Sequence, residues 1–161
     1  MVLTKRTRWE WIHDIICITV VIGSLIHLYV VWGNLPHQIA THYNVIGEAD
    51  RFGSKWSLLQ LWFVPFILYV GNFILKHFLG KLTRFPKNAS DKTKEHMYLN
   101  SRSTLTWITT ELILFFSYIQ WNTIQISFGN AKSLGIFFVV VLMATLTITS
   151  IFFMARSLRY Q

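Results

Sequence analysis

The chain has 161 residues, of which 53% are hydrophobic and only 14% are charged. Soluble domains carry about 25% charged residues, so this composition argues against an ordinary water-soluble protein. A formal net charge of +8 would suit nucleic-acid binding, but the Lys and Arg residues lie in short segments between apolar blocks, as they do in membrane proteins. We therefore expect an integral membrane protein that has the lipid bilayer as a partner and binds no nucleic acid.

Four apolar blocks are each long enough to cross a hydrocarbon core, which takes about 20 residues. They predict transmembrane helices over residues 11–32, 56–77, 105–126 and 134–154. The sequence thus predicts an all-α fold with four spans in a single domain, residues 1–161. The first block follows a basic segment, but it is longer than the 7–15 apolar residues of a signal peptide, so we expect it to be retained.

The basic residues predict the orientation of the spans. Twelve of the 15 Lys and Arg residues lie in the N-terminal segment, in the connector 76–102 and at the C-terminus, and the other three are Arg51, Lys55 and Lys132. Because basic residues are enriched on the cytosolic side, both termini are predicted in the cytosol and the loop 35–55 outside. Asn88 or Ser90 is predicted to cap a helix that begins in the connector and continues into the third span.

Polar residues inside the spans are the next candidates for function. In the first span, Thr19, Gly23 and His27 recur every four residues, which predicts a packing seam or, as the alternative, a functional His27. In the third span, one helical face carries a polar stripe made of Glu111, Tyr118, Asn122 and Gln125. An intramembrane carboxylate suggests a functional site, whereas the other interpretation of Glu111 is pairing with a connector lysine.

The loop 35–55 combines two histidines, acids, basic residues and glycines between two apolar blocks. Residues 39–44 predict an extended segment, 44–47 a turn with Gly47 in a left-handed conformation, and 48–55 a second turn. We expect a small folded lid on the outer membrane surface. His37, His42 and Asp50 are weak metal-ligand candidates, because their types suit zinc but their spacing fits no standard site. His42 could act as a general base if it touched Asp50.

The segment LPHQIATHYNVIGEADRFGSK resembles the signature of the bacterial membrane family called domain of unknown function 1648 (DUF1648). The resemblance extends to the N-terminal module of the SdpI-like immunity proteins, which protect bacteria from secreted toxic peptides. Ala40 and Phe52 depart from the residues most common there. The matching positions, which we take as ligand-binding or loop-folding candidates, include Pro36, His42, Tyr43, Asn44, Gly47, Asp50 and Lys55.

The resemblance implies a multi-pass protein of the bacterial cell membrane with no established reaction. The leading hypothesis is a non-enzymatic protein whose outer loop binds a ligand, with a toxic or antimicrobial peptide as the candidate for immunity or sensing. One alternative is a component of a membrane transporter, working with a partner membrane protein and using the polar stripe around Glu111. A second alternative is a metal-dependent membrane enzyme. No cofactor is expected, and the sequence leaves the oligomeric state open.

Overall fold

A computed structural model describes residues 6–83 and 85–159 of the chain. It has four long helices, a short 3₁₀ turn (Trp32–Asn34) and a β-hairpin. In chain order the helices and strands are α1 Arg8–Val31, β1 Gln38–Tyr43, β2 Ala49–Ser54, α2 Ser57–Leu82, α3 Asp91–Ser127 and α4 Ile136–Leu158. Lys5 and Arg84, two of the basic residues that predict orientation, lie outside the described residues.

The hairpin shows that the all-α prediction is wrong in the loop between α1 and α2. Residues 39–44 are extended as predicted, but most of the predicted second turn, 48–55, is strand β2, which pairs antiparallel with β1. The physical reason is the tight turn at residues 44–47, which folds β2 back along β1. A cross-strand ladder then satisfies backbone groups that a second turn would leave to solvent.

Three helical segments are long and apolar enough to cross a membrane, namely Arg8–Asn34, Ser57–Leu82 and Ile136–Leu158. These apolar helices support a membrane protein. They extend beyond the predicted spans 11–32, 56–77 and 134–154 at one or both ends. Helix α3 is too polar to belong to this set, although the sequence predicts a span at 105–126.

Helix α3 is the central element of the bundle, since it packs against α1, α2, α4 and β1. It begins far before residue 105, and the Ser90 side chain caps it by accepting the Thr93 N–H. Ser90 is one of the two residues predicted to cap this helix. Most of its buried side chains are polar, and they comprise Asn100, Thr106, Thr109, Thr110, Ser117, Gln120, Asn122 and Thr123. Neighbouring helices thus shield a polar helix that would be costly to expose to lipid.

Contacts between helices define two ends of the bundle. At one end, here called the charged end, Arg102 of α3 pairs with Glu10 of α1, and Lys76 of α2 lies 3.9 Å from Asp14 of α1. The other, hairpin end contains the β-hairpin and the α3–α4 loop, residues 128–135. There α1 and α2, the two helices that flank the hairpin, pack against α3 through a small apolar core. Its members are Leu28, Leu35, Ile39, Leu58 and Ile124.

The predicted packing seam in α1 is not used within residues 6–83 and 85–159. Thr19 and Gly23 are exposed, and apart from the adjoining backbone of α1 no described atom lies within 4 Å of a Cβ built on Gly23. Helix α1 instead buries a different stripe, whose members are Glu10, His13, Cys17, Val21 and Leu28. Hydrogen bonding between His13 Nδ1 and Thr110 Oγ1, 3.0 Å apart, helps to turn that stripe toward α3.

Candidate ligand site at the hairpin end

The hairpin turn is built by two residues of the loop. Asn44 Oδ1 accepts the backbone N–H groups of Ile46 and Glu48 at 3.1 and 3.0 Å, a side-chain turn typical of Asn. Gly47 has a φ of +82°, a left-handed conformation that side chains with a Cβ disfavour. The prediction that Gly47 is left-handed is therefore confirmed.

The turn is attached to the loop that precedes α4. The Leu134 N–H donates to the Gly47 carbonyl oxygen at 2.8 Å, and Glu48 forms an isolated β-bridge with Ser133. A Cβ on Gly47 would lie 3.5 Å from the backbone nitrogens of Leu134 and Gly135. Backbone contacts thus hold the tip of the hairpin to the rest of the bundle.

Side chains attach the two ends of the hairpin to the neighbouring helical segments. The Tyr43 hydroxyl lies 2.7 Å from Thr123 Oγ1 of α3. Burial raises the pKa of the Tyr43 phenol, an effect that the hydrogen bond to Thr123 partly offsets, so the phenol stays protonated at neutral pH. At the other end, Lys55 Nζ donates to the Trp32 carbonyl at 3.0 Å and lies 4.9 Å from the centre of the Trp32 ring. Pro36 is exposed at the start of the hairpin.

Between the hairpin and the helices lies a cleft of about 340 Å³. Strand β1 forms one wall, the first two turns of α2 form another, and Ile119 and Thr123 of α3 close it. The residues of the first two walls are Ile39, Ala40, Thr41, Tyr43, Ser57, Leu58, Gln60, Leu61 and Val64. The lining combines apolar side chains with hydroxyl and amide groups and contains no charged side chain.

Comparison with models of known protein families shows which family this region resembles. The model described as "Domain of unknown function (DUF1648)" matches residues 19–68. Residues 19–68 are therefore similar to the DUF1648 family. The prediction made from residues 35–55 is confirmed, and the match extends into both flanking helices. Searches of curated proteins and of solved structures find no match.

The DUF1648 segment contains the hairpin and the adjoining parts of α1 and α2, but it does not contain the whole cleft. Ile119 and Thr123 come from α3, outside the match. The loop sequence points to Tyr43, but it gives no signal for the α2 and α3 walls. In the sequence those residues have the pattern of ordinary membrane-span residues. Only the folded hairpin makes them walls of a cleft.

His42 and Asp50 of the DUF1648 hairpin form a cross-strand pair, with 2.6 Å between Nδ1 and Oδ1. Both side chains are about half exposed, and neither lines the cleft. His37 is exposed as well. Within residues 6–83 and 85–159, no group of three or more His, Cys, Asp or Glu side chains could hold a metal ion. The geometry thus brings His42 and Asp50 together, and their direct contact braces the two strands.

Two residues of the predicted polar stripe also support the hairpin end. The Tyr118 hydroxyl donates to the Leu134 carbonyl at 3.0 Å. Asn122 Nδ2 donates to the Tyr118 hydroxyl at 3.1 Å and to the Ser133 carbonyl at 3.3 Å. These bonds fix the loop to which the hairpin turn is attached. Both residues therefore support the hairpin end without lining the cleft.

Glu111 and His27 are not brought together. Glu111 Oε1 accepts a hydrogen bond of 2.6 Å from Thr149 of α4 rather than from a connector lysine. Its sequence neighbour Thr110 contacts His13, and His27 lies 14 residues further along α1, or about 21 Å at 1.5 Å per residue. A single pathway lined by both residues would have to run through much of the bundle.

Proposed function

We propose that this chain is a non-enzymatic, multi-pass protein of the bacterial cell membrane that binds a ligand in the cleft beneath its DUF1648 hairpin. The observation that carries the proposal is the cleft itself. Its volume of about 340 Å³ lies within the range of roughly 300–1,000 Å³ that is usual for ligand sites. It is mostly apolar, with a few polar groups from Tyr43, Thr123 and Gln60 that could orient a ligand.

The proposal includes α3 as a fourth membrane span, with the charged end in the cytosol. From residue 103 to residue 127, α3 contains one charged residue, Glu111, and this stretch is about 37 Å long. Its polar side chains are shielded by the other helices, so low hydropathy does not prevent it from crossing a bilayer. The basic residues of the connector and the termini favour the cytosol for the opposite end from the hairpin.

Cysteine labelling tests this topology. In a Cys17→Ala background, we expect a membrane-impermeant maleimide to label Val45→Cys and Asn130→Cys on intact cells, because both positions are exposed at the hairpin end. Lys87→Cys in the connector should react only after lysis. Labelling of Asn130→Cys only after lysis would show that α3 does not span the membrane in the proposed way.

The proposed ligand class is a toxic or antimicrobial peptide, bound for immunity or sensing. Two features support it, the resemblance of the loop to that of SdpI-like immunity proteins and a cleft that offers both apolar and hydrogen-bonding surface. Val64→Trp should fill the cleft, since Val64 lines it. Ile67→Trp is the matched control, because Ile67 lies one turn further along α2 and is 63% exposed.

The test uses a peptide-sensitive strain exposed to a panel of secreted cationic bacterial peptides. We expect the wild-type chain and Ile67→Trp to raise the inhibitory concentration of at least one peptide, and Val64→Trp to lose at least tenfold of that protection. Membrane levels of the variants must be equal. Unchanged killing by every peptide with the wild-type chain would refute the immunity role.

A transport or assembly role is the second candidate. It is favoured by buried polar atoms on α3 that have no hydrogen-bond partner within the described residues, namely Glu111 Oε2, Ser117 Oγ and both amide atoms of Gln120. Such atoms are costly in a bilayer unless water, a solute or another subunit satisfies them. Glu111→Gln separates the two roles, because it should abolish transport and leave peptide protection unchanged.

A further inference from the structure

Two neighbouring polar side chains of α3 are buried inside the bundle without a hydrogen-bond partner. Ser117 and Gln120 are 8% and 1% exposed. Within residues 6–83 and 85–159, neither Ser117 Oγ nor either amide atom of Gln120 has a partner. The two residues are three apart on one helical face, so their Cβ atoms lie about 5–6 Å from each other. Three buried polar atoms thus belong to adjacent side chains in the core.

The Ser117 hydroxyl differs from other hydroxyl groups of α3. A Ser or Thr side chain in a helix can donate to the carbonyl four residues before it. Five residues of α3 do so, namely Ser101, Thr104, Thr106, Thr110 and Ser127. In the described part of the chain, Ser117 does not. Its hydroxyl is therefore available to a molecule bound in the core.

The two side chains lie between two apolar clusters. Ile113 packs against α1 in one cluster, and Ile124 belongs to the apolar core at the hairpin end. The steps from Ile113 to Ser117, Gln120 and Ile124 are four, three and four residues, so all four share one face of α3. Because Ser117 is smaller than the isoleucines of this stripe, it leaves space beside α3 that a larger side chain would fill.

Helix α2 supplies a further polar group at the same depth. Trp62 packs against both apolar clusters, so its neighbour Leu61 lies level with the unpartnered atoms of α3. Pro65 lies inside α2 and is almost fully buried, and it has no N–H to donate to the Leu61 carbonyl four residues before it. The Trp62 indole N–H is already used, since it donates to the Val21 carbonyl at 3.0 Å.

We infer that Ser117, Gln120 and the Leu61 carbonyl bind water at the break that Pro65 makes in α2. A buried water typically makes about three hydrogen bonds to polar groups that lack other partners, and this site offers a hydroxyl, an amide and a carbonyl. The mixture of donors and acceptors suits water, whereas a hard cation takes oxygen ligands and would be repelled by the amide N–H groups. The inference stands apart from the proposed function, because neither Ser117 nor Gln120 lines the cleft.

Bound water would support the wall of the cleft that α2 forms. The α2 residues of that wall all precede Pro65, and they are Ser57, Leu58, Gln60, Leu61 and Val64. Water at the Leu61 carbonyl replaces the hydrogen bond that Pro65 removes at the base of this wall. The water site therefore stabilises the break without a contribution from the ligand of the cleft.

Water-edited solid-state NMR of the full chain in phosphatidylethanolamine–phosphatidylglycerol bilayers tests the inference, since it measures how fast magnetisation passes from water to each side chain. We expect the Gln120 amide and the Ser117 Cβ protons to receive it at least threefold faster than the methyl groups of Ile113 and Ile124. Ser117→Val removes the hydroxyl and fills the space, so it should abolish the fast transfer to Gln120. Ser101→Val is the matched control and should leave that transfer unchanged, because Ser101 bonds to its own helix.

Three outcomes would overturn the inference. Transfer to Gln120 that is as slow as transfer to the two isoleucines would show that this part of the core is dry. Equally fast transfer in the wild-type chain and in Ser117→Val would show that water reaches Gln120 without the inferred site. A shift of the Ser117 and Gln120 signals when N-methyl-D-glucamine replaces sodium would identify a cation as the occupant. None of these outcomes bears on peptide protection in cells, so the proposed function is tested separately.

Discussion

Replacing Glu10 with Gln is expected to lower the free energy of unfolding by about 3 kcal/mol, because it removes the carboxylate of a buried ion pair with Arg102. Glu10 is 5% exposed, and the Arg102 side chain is 11% exposed. Glu10 also accepts the Thr7 N–H in a capping box at the start of α1. Gln serves equally well in such a box, so the substitution isolates the loss of charge.

Urea unfolding in detergent micelles, followed by tryptophan fluorescence, measures this effect. Lys94→Gln is the control, because its ion pair with Asp91 is exposed and should contribute less than about 0.5 kcal/mol. The double variant Glu10→Gln/Arg102→Met should recover part of the lost stability, since it also removes the guanidinium that faces Glu10. A loss below about 1 kcal/mol for Glu10→Gln would show that the pair does not hold α1 to α3.

Gly47→Ala is expected to cost about 1–2 kcal/mol, because the added Cβ disfavours the left-handed backbone. Gly33→Ala is the matched control, since Gly33 has no positive φ and, its chain neighbours aside, no described atom lies within 4 Å of an added Cβ. The same unfolding assay measures both variants. Equal stability of the two would contradict the strained-turn explanation.

The Gly47 substitution should also loosen the hairpin locally, because the Gly47 carbonyl accepts the Leu134 N–H that attaches the turn to the α3–α4 loop. Hydrogen exchange measures this directly. We expect the Leu134 amide to exchange at least tenfold faster in Gly47→Ala than in Gly33→Ala. Unchanged exchange at Leu134 would mean that the hairpin tip is held by other contacts.

Local signals in the sequence determined the membrane class, the Asn44–Gly47 turn and the start of α3. Each depends on residues close together in the chain. Apolar blocks reflect the thickness of a bilayer, Gly47 tolerates a positive φ, and Ser90 caps the helix that follows it. For the same reason the DUF1648 signature was readable, since its turn residues fold the segment that contains them.

The tertiary structure alone decided how distant residues meet. Residues 48–55 look like a turn because strand β2 is short and polar, and only pairing with β1 makes it a strand. Glu10 and Arg102, or Tyr43 and Thr123, are far apart in sequence, so no spacing rule could pair them. The cleft needs walls from β1, α2 and α3 at once. The sequence by itself determined the turn that forms the hairpin, and packing against α2 and α3 decided that a cleft lies beneath it.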